Sequence, residues 1–387
     1  MPLPASRENR CTAARAAARA GHTSTFKEQT TMVSSQAAKG AEPPADRTEP
    51  SEQALGSVHD TALLDLDGVV YTGGEAVPHA VRSLEAARAE GMAMAYVTNN
   101  AARPRETVAE HLTGLGVPAE PSDVITSAQA VARLVAEQVP EGARVLCIGG
   151  EGLGLALRER GLTPVESADD EPAAVVQGYG GSTMEWGRLI EASLAVGRGV
   201  PWFASNTDLT LPGSRGISPG NGAAVEVVRI ATRWMRTPPE PQVAGKPLPP
   251  MHRETILRTG AQRPLVVGDR LDTDIEGAYA GGVPSLLVLT GVTDGAQLLA
   301  APPAHRPTYV AADLRGLLEP HPRVDVEEEG AGTCGGWRAR LAGDELALEG
   351  EGEPIDGLRA LCAAAWSAAG AGSCGADAAR ALGRLGM

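Results

Sequence analysis

Two carboxylates two residues apart, at the end of an apolar run, are the first side chains in this sequence equipped for chemistry. Asp65-Leu66-Asp67-Gly68-Val69 follows Thr61-Ala62-Leu63-Leu64 directly. A buried strand ending on such a pair can share one cation between the carboxylates and keep an oxygen free to attack an electrophile. An acidic turn closing a strand would look the same, so the rest of the chain has to decide. Gly268-Asp269-Arg270-Leu271-Asp272-Thr273-Asp274 follows a second apolar run. Carboxylates from two strand ends make a hard, oxygen-rich site suited to magnesium. Asp65, Asp67 and Asp269 are the expected metal-binding residues and Asp274 the expected support. Asp272 is expected at the surface, although either Asp272 or Asp274 could cap the following helix.

A phosphoryl group would complete such a site. Thr98-Asn99-Asn100 offers a hydroxyl and backbone N–H groups at a strand-to-helix junction, where anions bind; a plain helix N-cap would use the same residues. Lys246, in Gly245-Lys246-Pro247, is the third and last lysine after Lys27 and Lys39 in a chain with 34 basic residues. A compact ammonium can approach both a phosphoryl oxygen and a carboxylate nucleophile where a planar guanidinium would not fit.

The bulk composition narrows the function classes. A net charge of -14 disfavours nucleic acid or an anionic membrane as partner. No uninterrupted apolar run approaches the ~18 residues of a membrane-spanning helix. The cysteines Cys11, Cys147, Cys334, Cys362 and Cys374 show no C-x-x-C spacing, so neither a disulfide framework nor a zinc site is expected. A reducing compartment, by default the cytoplasm, is the expectation, and a homo-oligomer stays open.

These residues need a scaffold that brings several strand ends together. Residues 1–57 carry almost no large aliphatics and no apolar periodicity. They are expected to be a disordered extension whose removal leaves stability and activity unchanged. The first 31 residues have the basic bias of a transit peptide, and a start near Met32 is an equal alternative. Strand–helix alternation then begins. Residues 61–65 form a strand, a helix carries Val81, Leu84 and Ala87 at i, i+3 spacing, and residues 92–97 form the next strand. Residues 264–268 and 284–289 are two more. This predicts an α/β, doubly wound parallel sheet with its crevice at the strand carboxyl ends.

Residues 58–128 and 242–320 make up this core, and residues 129–241, with their own strand and helix signals, an inserted α/β cap. After that, residues 337–349 alternate about Gly343-Asp344 as a hairpin and residues 358–369 form an Ala-rich helix, so residues 321–387 are a small α+β appendage. The glycine run 149–154 lacks the G-x-G-x-x-G spacing of a dinucleotide loop and is expected to be a turn of the cap.

In order and spacing, D-x-D-G-V-V-Y, T-N-N, G-K-P and G-D-R-L-D-T-D-I resemble the haloacid dehalogenase superfamily. Within it, the chain resembles the NagD-like and 4-nitrophenylphosphatase-like branch. Thr98 follows Asp67 by 31 residues and Lys246 follows Thr98 by 148, so room for a cap exists only in the second interval, where this branch inserts its C2-type cap. The resemblance implies that Asp65 attacks phosphorus and Asp67 serves as general acid, then base. It implies that magnesium is held by Asp65, the Asp67 backbone carbonyl and Asp269, and that Thr98 and Lys246 stabilise the transferring group. Thr98, Asn99, Asn100, Leu211 and Lys246 are the expected substrate-binding residues, with Asn206 and Asn221 either contributing or only shaping turns.

The cap loops T-L-P and P-G-N-G and the extra C-terminal region look most like actinobacterial glycerol 3-phosphate phosphatases. Only five Trp, five Tyr and two Phe occur, too few aromatics to favour stacking on a nucleobase. A small phosphomonoester is therefore expected, glycerol 3-phosphate first. Phosphoglycolate or a broad 4-nitrophenyl phosphate-type range is the alternative, and a non-catalytic binding protein on the same scaffold the remote one. Arg215 is the cation in the 209–222 loop that could meet a glycolate carboxylate. The C-terminal unit is similar to an acetyltransferase-like fragment but has no glycine-rich acetyl-CoA loop.

Overall fold

The computed structural model describes residues 46–213, 215–327, 330–370 and 377–387. Its central sheet has six parallel strands: β1 (Thr61–Leu64), β2 (Ala93–Thr98), β3 (Val124–Thr126), β4 (Pro264–Gly268), β5 (Ser285–Val288) and β6 (Tyr309–Ala311). Their spatial order is β6-β5-β4-β1-β2-β3. All four residues of β1 are buried, as expected for a strand covered on both faces. Leu64 lies level with Val267 on one side and Tyr96 on the other. Asp65, Thr98 and Asp269 therefore leave three adjacent strands on the same edge.

Between β3 and β4 lies a second parallel sheet, ordered Gln242–Val243, Trp202–Ala204, Ala174–Gln177, Arg144–Ile148, Thr163–Val165. The cap strand at Gln242–Val243 pairs with Phe203 and Ala204, so the cap sheet runs past the boundary expected at residue 241. Two residues are too few to show a period in sequence. The two sheets share one hydrophobic cluster, in which Leu63 and Val97 of the core meet Val145, Leu153 and Phe203 of the cap. A buried ionic knot pins the same seam. Glu254, on helix Pro249–Thr259, receives Arg133, Arg160 (2.9 Å) and Arg258. These guanidiniums outweigh its burial and hold its carboxyl below the usual range.

The chain ends in four antiparallel strands, from Asp325–Val326 to Glu345–Gly350, covered by helices Pro354–Gly370 and Ala379–Leu385. Trp366, Leu358 and Leu361 are fully buried and share a cluster with Ile275, Leu287, Leu298 and Val310 of the core. The C-terminal unit is docked on the core.

The expectation of a disordered segment up to residue 57 is corrected where the structure describes it; residues 1–45 lie outside the described residues. Glu49 N donates to Thr308 O (2.8 Å), Ser51 pairs with His321, and Leu55 is fully buried in the central cluster. One leucine in a polar stretch gives no period, but backbone pairing to the sheet edge orders it.

Candidate functional site

Lys246 organises the site. Its Nζ donates to Asp65 Oδ1 (2.7 Å), Asp274 Oδ1 (2.7 Å) and Val97 O (3.2 Å). An ammonium has three N–H donors, and all three are taken. Burial opposes its charge, but Asp274 and Asp65 outweigh that and hold the ammonium above its ordinary pKa. The loop bearing Lys246 is fixed by Asn99, whose Oδ1 accepts from Lys246 N (2.8 Å) and whose Nδ2 donates to Lys246 O (3.1 Å). A Cβ on Gly245 would come 2.6 Å from Asn99 Oδ1, so the backbone approaches as closely as glycine permits.

Opposite Lys246 stand the acids. One carboxylate oxygen from each of Asp65, Asp269 and Asp274 fits within 4.8 Å of the others. Asp269 is fully buried; its Oδ2 accepts from Val292 N (2.7 Å), and among the described residues its Oδ1 has no hydrogen-bond partner. A Cβ on Gly68 would lie 2.5 Å, and one on Gly291 2.0 Å, from Asp269 Oδ2. Gly68 also sits at φ +87°, a conformation side chains disfavour. Burial, and then the nearby Asp65, push Asp269 up to about 6. Burial likewise pushes Asp274 upward, with Asp65 and Asp269 adding to it. An orphaned carboxylate oxygen in a glycine-walled cradle, among acids that one lysine does not neutralise, fits a small hard cation.

Asp67 keeps an exposed surface but is crowded by surrounding protein. That burial, followed by Asp65, pushes its carboxyl up to about 6, while Tyr71 hydrogen-bonds it. Tyr71 closes the D-x-D-G loop through Gly68 N to Tyr71 O (2.8 Å).

Thr98 is buried, and its Oγ1 accepts from Asn100 N (3.1 Å). Asn100 is exposed and its Oδ1 accepts from Ala102 N (2.8 Å), so its side chain closes a turn. Asn99 O receives Asn206 Nδ2 (2.7 Å), and Asn206 O receives Asn221 Nδ2 (2.7 Å). The cap asparagines thus form a brace from the core to the helix Asn221–Thr232. Leu211 is half-buried on Thr210–Gly213, one arm of a cap hairpin, and Arg215 is exposed at its turn. Asp272 is exposed and pairs with Arg270 (2.8 Å).

Two residues at the site had no role assigned from sequence. Tyr71 was visible only as the last letter of D-x-D-G-V-V-Y. Asp208, half-buried in the cap, accepts from Asn99 Nδ2 (3.2 Å). Its burial pushes its carboxyl up, while Arg270 and Lys246 pull it down. Only the fold brings it to the site, since it lies 109 residues from Asn99.

Residues 62–163 match the haloacid dehalogenase-like hydrolase family, 243–317 a related hydrolase family, and 334–387 a GCN5-related N-acetyltransferase-like domain. The chain is 42% identical to the D-glycerol 3-phosphate phosphatase of Mycobacterium tuberculosis, over 82% of this chain and 88% of that one. It is 35% identical to an acid sugar phosphatase of Staphylococcus aureus, over 66% and 95%. Among solved structures, the Mycobacterium tuberculosis glycerol phosphate phosphatase in complex with magnesium matches with a TM-score of 0.74 at 42% identity, covering 81% of this chain and 92% of that one. A p-nitrophenyl phosphatase from Archaeoglobus fulgidus matches with a TM-score of 0.61 at 29% identity, covering 67% and 98%. The chain belongs to the haloacid dehalogenase-like hydrolases, in their phosphatase branch.

Proposed function

We propose that this chain is a magnesium-dependent phosphatase that hydrolyses glycerol 3-phosphate through a phosphoryl group carried on Asp65. The observation that carries the chemistry is the convergence of Asp65, Asp269 and Asp274 around Lys246, with Asp67 within electrostatic reach of Asp65 and Lys246. An Asp65 oxygen attacks phosphorus, and the bond from phosphorus to the glycerol oxygen breaks as Asp67 delivers its proton there. Burial pushes that carboxyl up to about 6, which raises its protonated fraction near neutrality above that of an ordinary aspartate. Asp67, now ionised, takes a proton from the water that attacks phosphorus; inorganic phosphate leaves and Asp65 is restored.

Lys246 and Thr98 compensate charge on the transferring group, for which Lys246 exchanges one of its carboxylate partners for a phosphoryl oxygen. Asp65, the Asp67 backbone carbonyl and Asp269 would hold magnesium, which would supply the positive charge that lets an anionic nucleophile meet an anionic phosphate. Asp274 holds Lys246 in place.

The choice of glycerol 3-phosphate rests on 42% identity across most of a relative that bears that activity in its name. The small apolar Leu211 and the scarcity of aromatics agree with it. Arg215, exposed at the hairpin turn, offers a glycolate carboxylate no enclosed partner. A test compares kcat/KM for glycerol 3-phosphate, phosphoglycolate, a nucleoside monophosphate and pyridoxal 5′-phosphate, with and without magnesium. Glycerol 3-phosphate should rank first and lose its turnover with the metal. A preference for phosphoglycolate that vanishes in Arg215→Ala would overturn the substrate; no turnover of any ester would overturn the enzyme.

A further inference from the structure

Asp269 is aimed by a loop rather than by its own strand. After β5 the chain runs Thr290-Gly291-Val292-Thr293-Asp294. Val292 N donates to Asp269 Oδ2 (2.7 Å), Thr293 N to Asp269 O (3.1 Å), and Thr290 Oγ1 to Gly68 O (2.5 Å). One loop thus grips both halves of the acidic cradle. It leads at once into the helix Gly295–Leu299, capped by Asp294.

A helix of five residues does not hold itself, because helices shorter than about 12 residues are marginal without tertiary packing. Its packing comes from the C-terminal unit. Trp366 Nε1 donates to Leu298 O (3.2 Å) in a fully buried setting, and a Cβ on Gly295 would touch Leu382 (2.7 Å) and Leu358 (3.6 Å). Ile275, next to Asp274, belongs to the same buried cluster as Trp366. The hydrolase-family match stops at residue 317, so these contacts come from outside the hydrolase unit.

We infer that the C-terminal unit is a positioning element for the metal site, with Trp366 acting through Leu298 and the Val292–Thr293 backbone to orient Asp269 for magnesium. The inference rests on the reading of Asp269 as a metal ligand. Trp366 touches neither metal nor substrate. It fixes the helix whose entry loop fixes the ligand, so its loss should show first in metal affinity.

The test is magnesium titration by calorimetry into the full-length chain stripped of metal, in wild type, Trp366→Phe, Leu346→Ala and Asp269→Ala. Trp366→Phe keeps a six-membered aromatic ring in the cluster but removes the indole N–H together with the rest of the pyrrole ring, and Leu346→Ala controls for the cavity this leaves. Trp366→Phe should fold and bind magnesium about tenfold more weakly, the lower end of what partners of metal ligands contribute. The metal concentration for half-maximal rate should rise in step, while kcat at saturating metal moves less than about twofold. Leu346→Ala hollows the same unit on the last strand of its sheet, and its magnesium affinity should stay at the wild-type value. Wild-type affinity in Trp366→Phe, or equal weakening in Leu346→Ala, would overturn the inference. Asp269→Ala separates the two readings. If it abolishes binding while Trp366→Phe binds normally, only the inference fails; if it binds normally, the metal site itself is misplaced.

Discussion

At the level of single side chains, the ammonium of Lys246 is the group with the least freedom. Three acceptors converge on one nitrogen, from Asp65, Asp274 and Val97. A guanidinium spreads its donors over a plane and cannot point them at that one position. Lys246→Arg should therefore lower kcat/KM by about 10²- to 10³-fold, the range for losing a preorganised charge partner, while the protein stays folded. Steady-state kinetics at saturating magnesium check this, and a loss under about tenfold would mean that charge alone suffices. Lys246 could be read from sequence because arginine supplies nearly all other positive charge and G-K-P falls at the right distance from T-N-N. Asp208 could not. Its place beside Asn99 is created by the cap folding onto the core, and nothing local in S-N-T-D marks it. Asn99 shows the same limit, since its position was evident but the commitment of its amide to the Lys246 loop was not.

Among helices and strands, the seam between cap and core explains the glycine run 149–154. Helix Glu151–Glu159 starts against the loop that follows T-N-N, with Gly152 N donating to Ala102 O (2.9 Å). A Cβ on Gly152 would lie 2.3 Å from Arg103 O and 2.6 Å from Arg103 C. Both obstacles are backbone and cannot swing aside. Gly152→Ala should cost about 1–3 kcal/mol, the range for overpacking, even though alanine favours a helix by about 1 kcal/mol. A urea midpoint at or above wild type would contradict the close approach. The longer core and cap strands were readable because fully buried parallel strands are short continuous apolar runs, and Arg144–Ile148 falls where that pattern places it; Val124–Thr126 and Tyr309–Ala311, at three residues each, are too short to stand out. The wide turn at Leu271–Ile275, where Ile275 N reaches back to Arg270 O (3.2 Å), was not. Its sequence, L-D-T-D-I, is equally that of a capped helix start.

For the molecule as a whole, the described stretches on either side of the hydrolase unit complete the core. Leu55 fills the central cluster and the stretch before it pairs with Thr308 and His321. His321 Nδ1 in turn accepts from Arg359 Nη2 of the C-terminal unit (3.2 Å), which also donates to Val310 O (2.6 Å). Deleting residues 1–57 should therefore lower the unfolding free energy by about 2–5 kcal/mol, the loss of one buried leucine side chain alone. Chemical denaturation of the truncated and full chains measures it; a difference within about 0.5 kcal/mol would fit an idle tail. Neither stretch is readable as part of the core from sequence, since each gains its partners only once the sheet exists. Among the described residues no helix is long and apolar enough to cross a membrane.

The covalent role of Asp65 is open to direct observation. In Asp67→Asn the second step lacks its base, while 4-nitrophenyl phosphate, whose leaving group needs no proton, still permits the first; mixing this variant with that ester and magnesium, quenching in acid and digesting should leave one phosphoryl group on the peptide containing Asp65. Mass spectrometry locates it, and the adduct should be absent from Asp65→Asn, which should also have no turnover. A phosphoryl group on another residue, or substantial hydrolysis by purified Asp65→Asn, would contradict the mechanism.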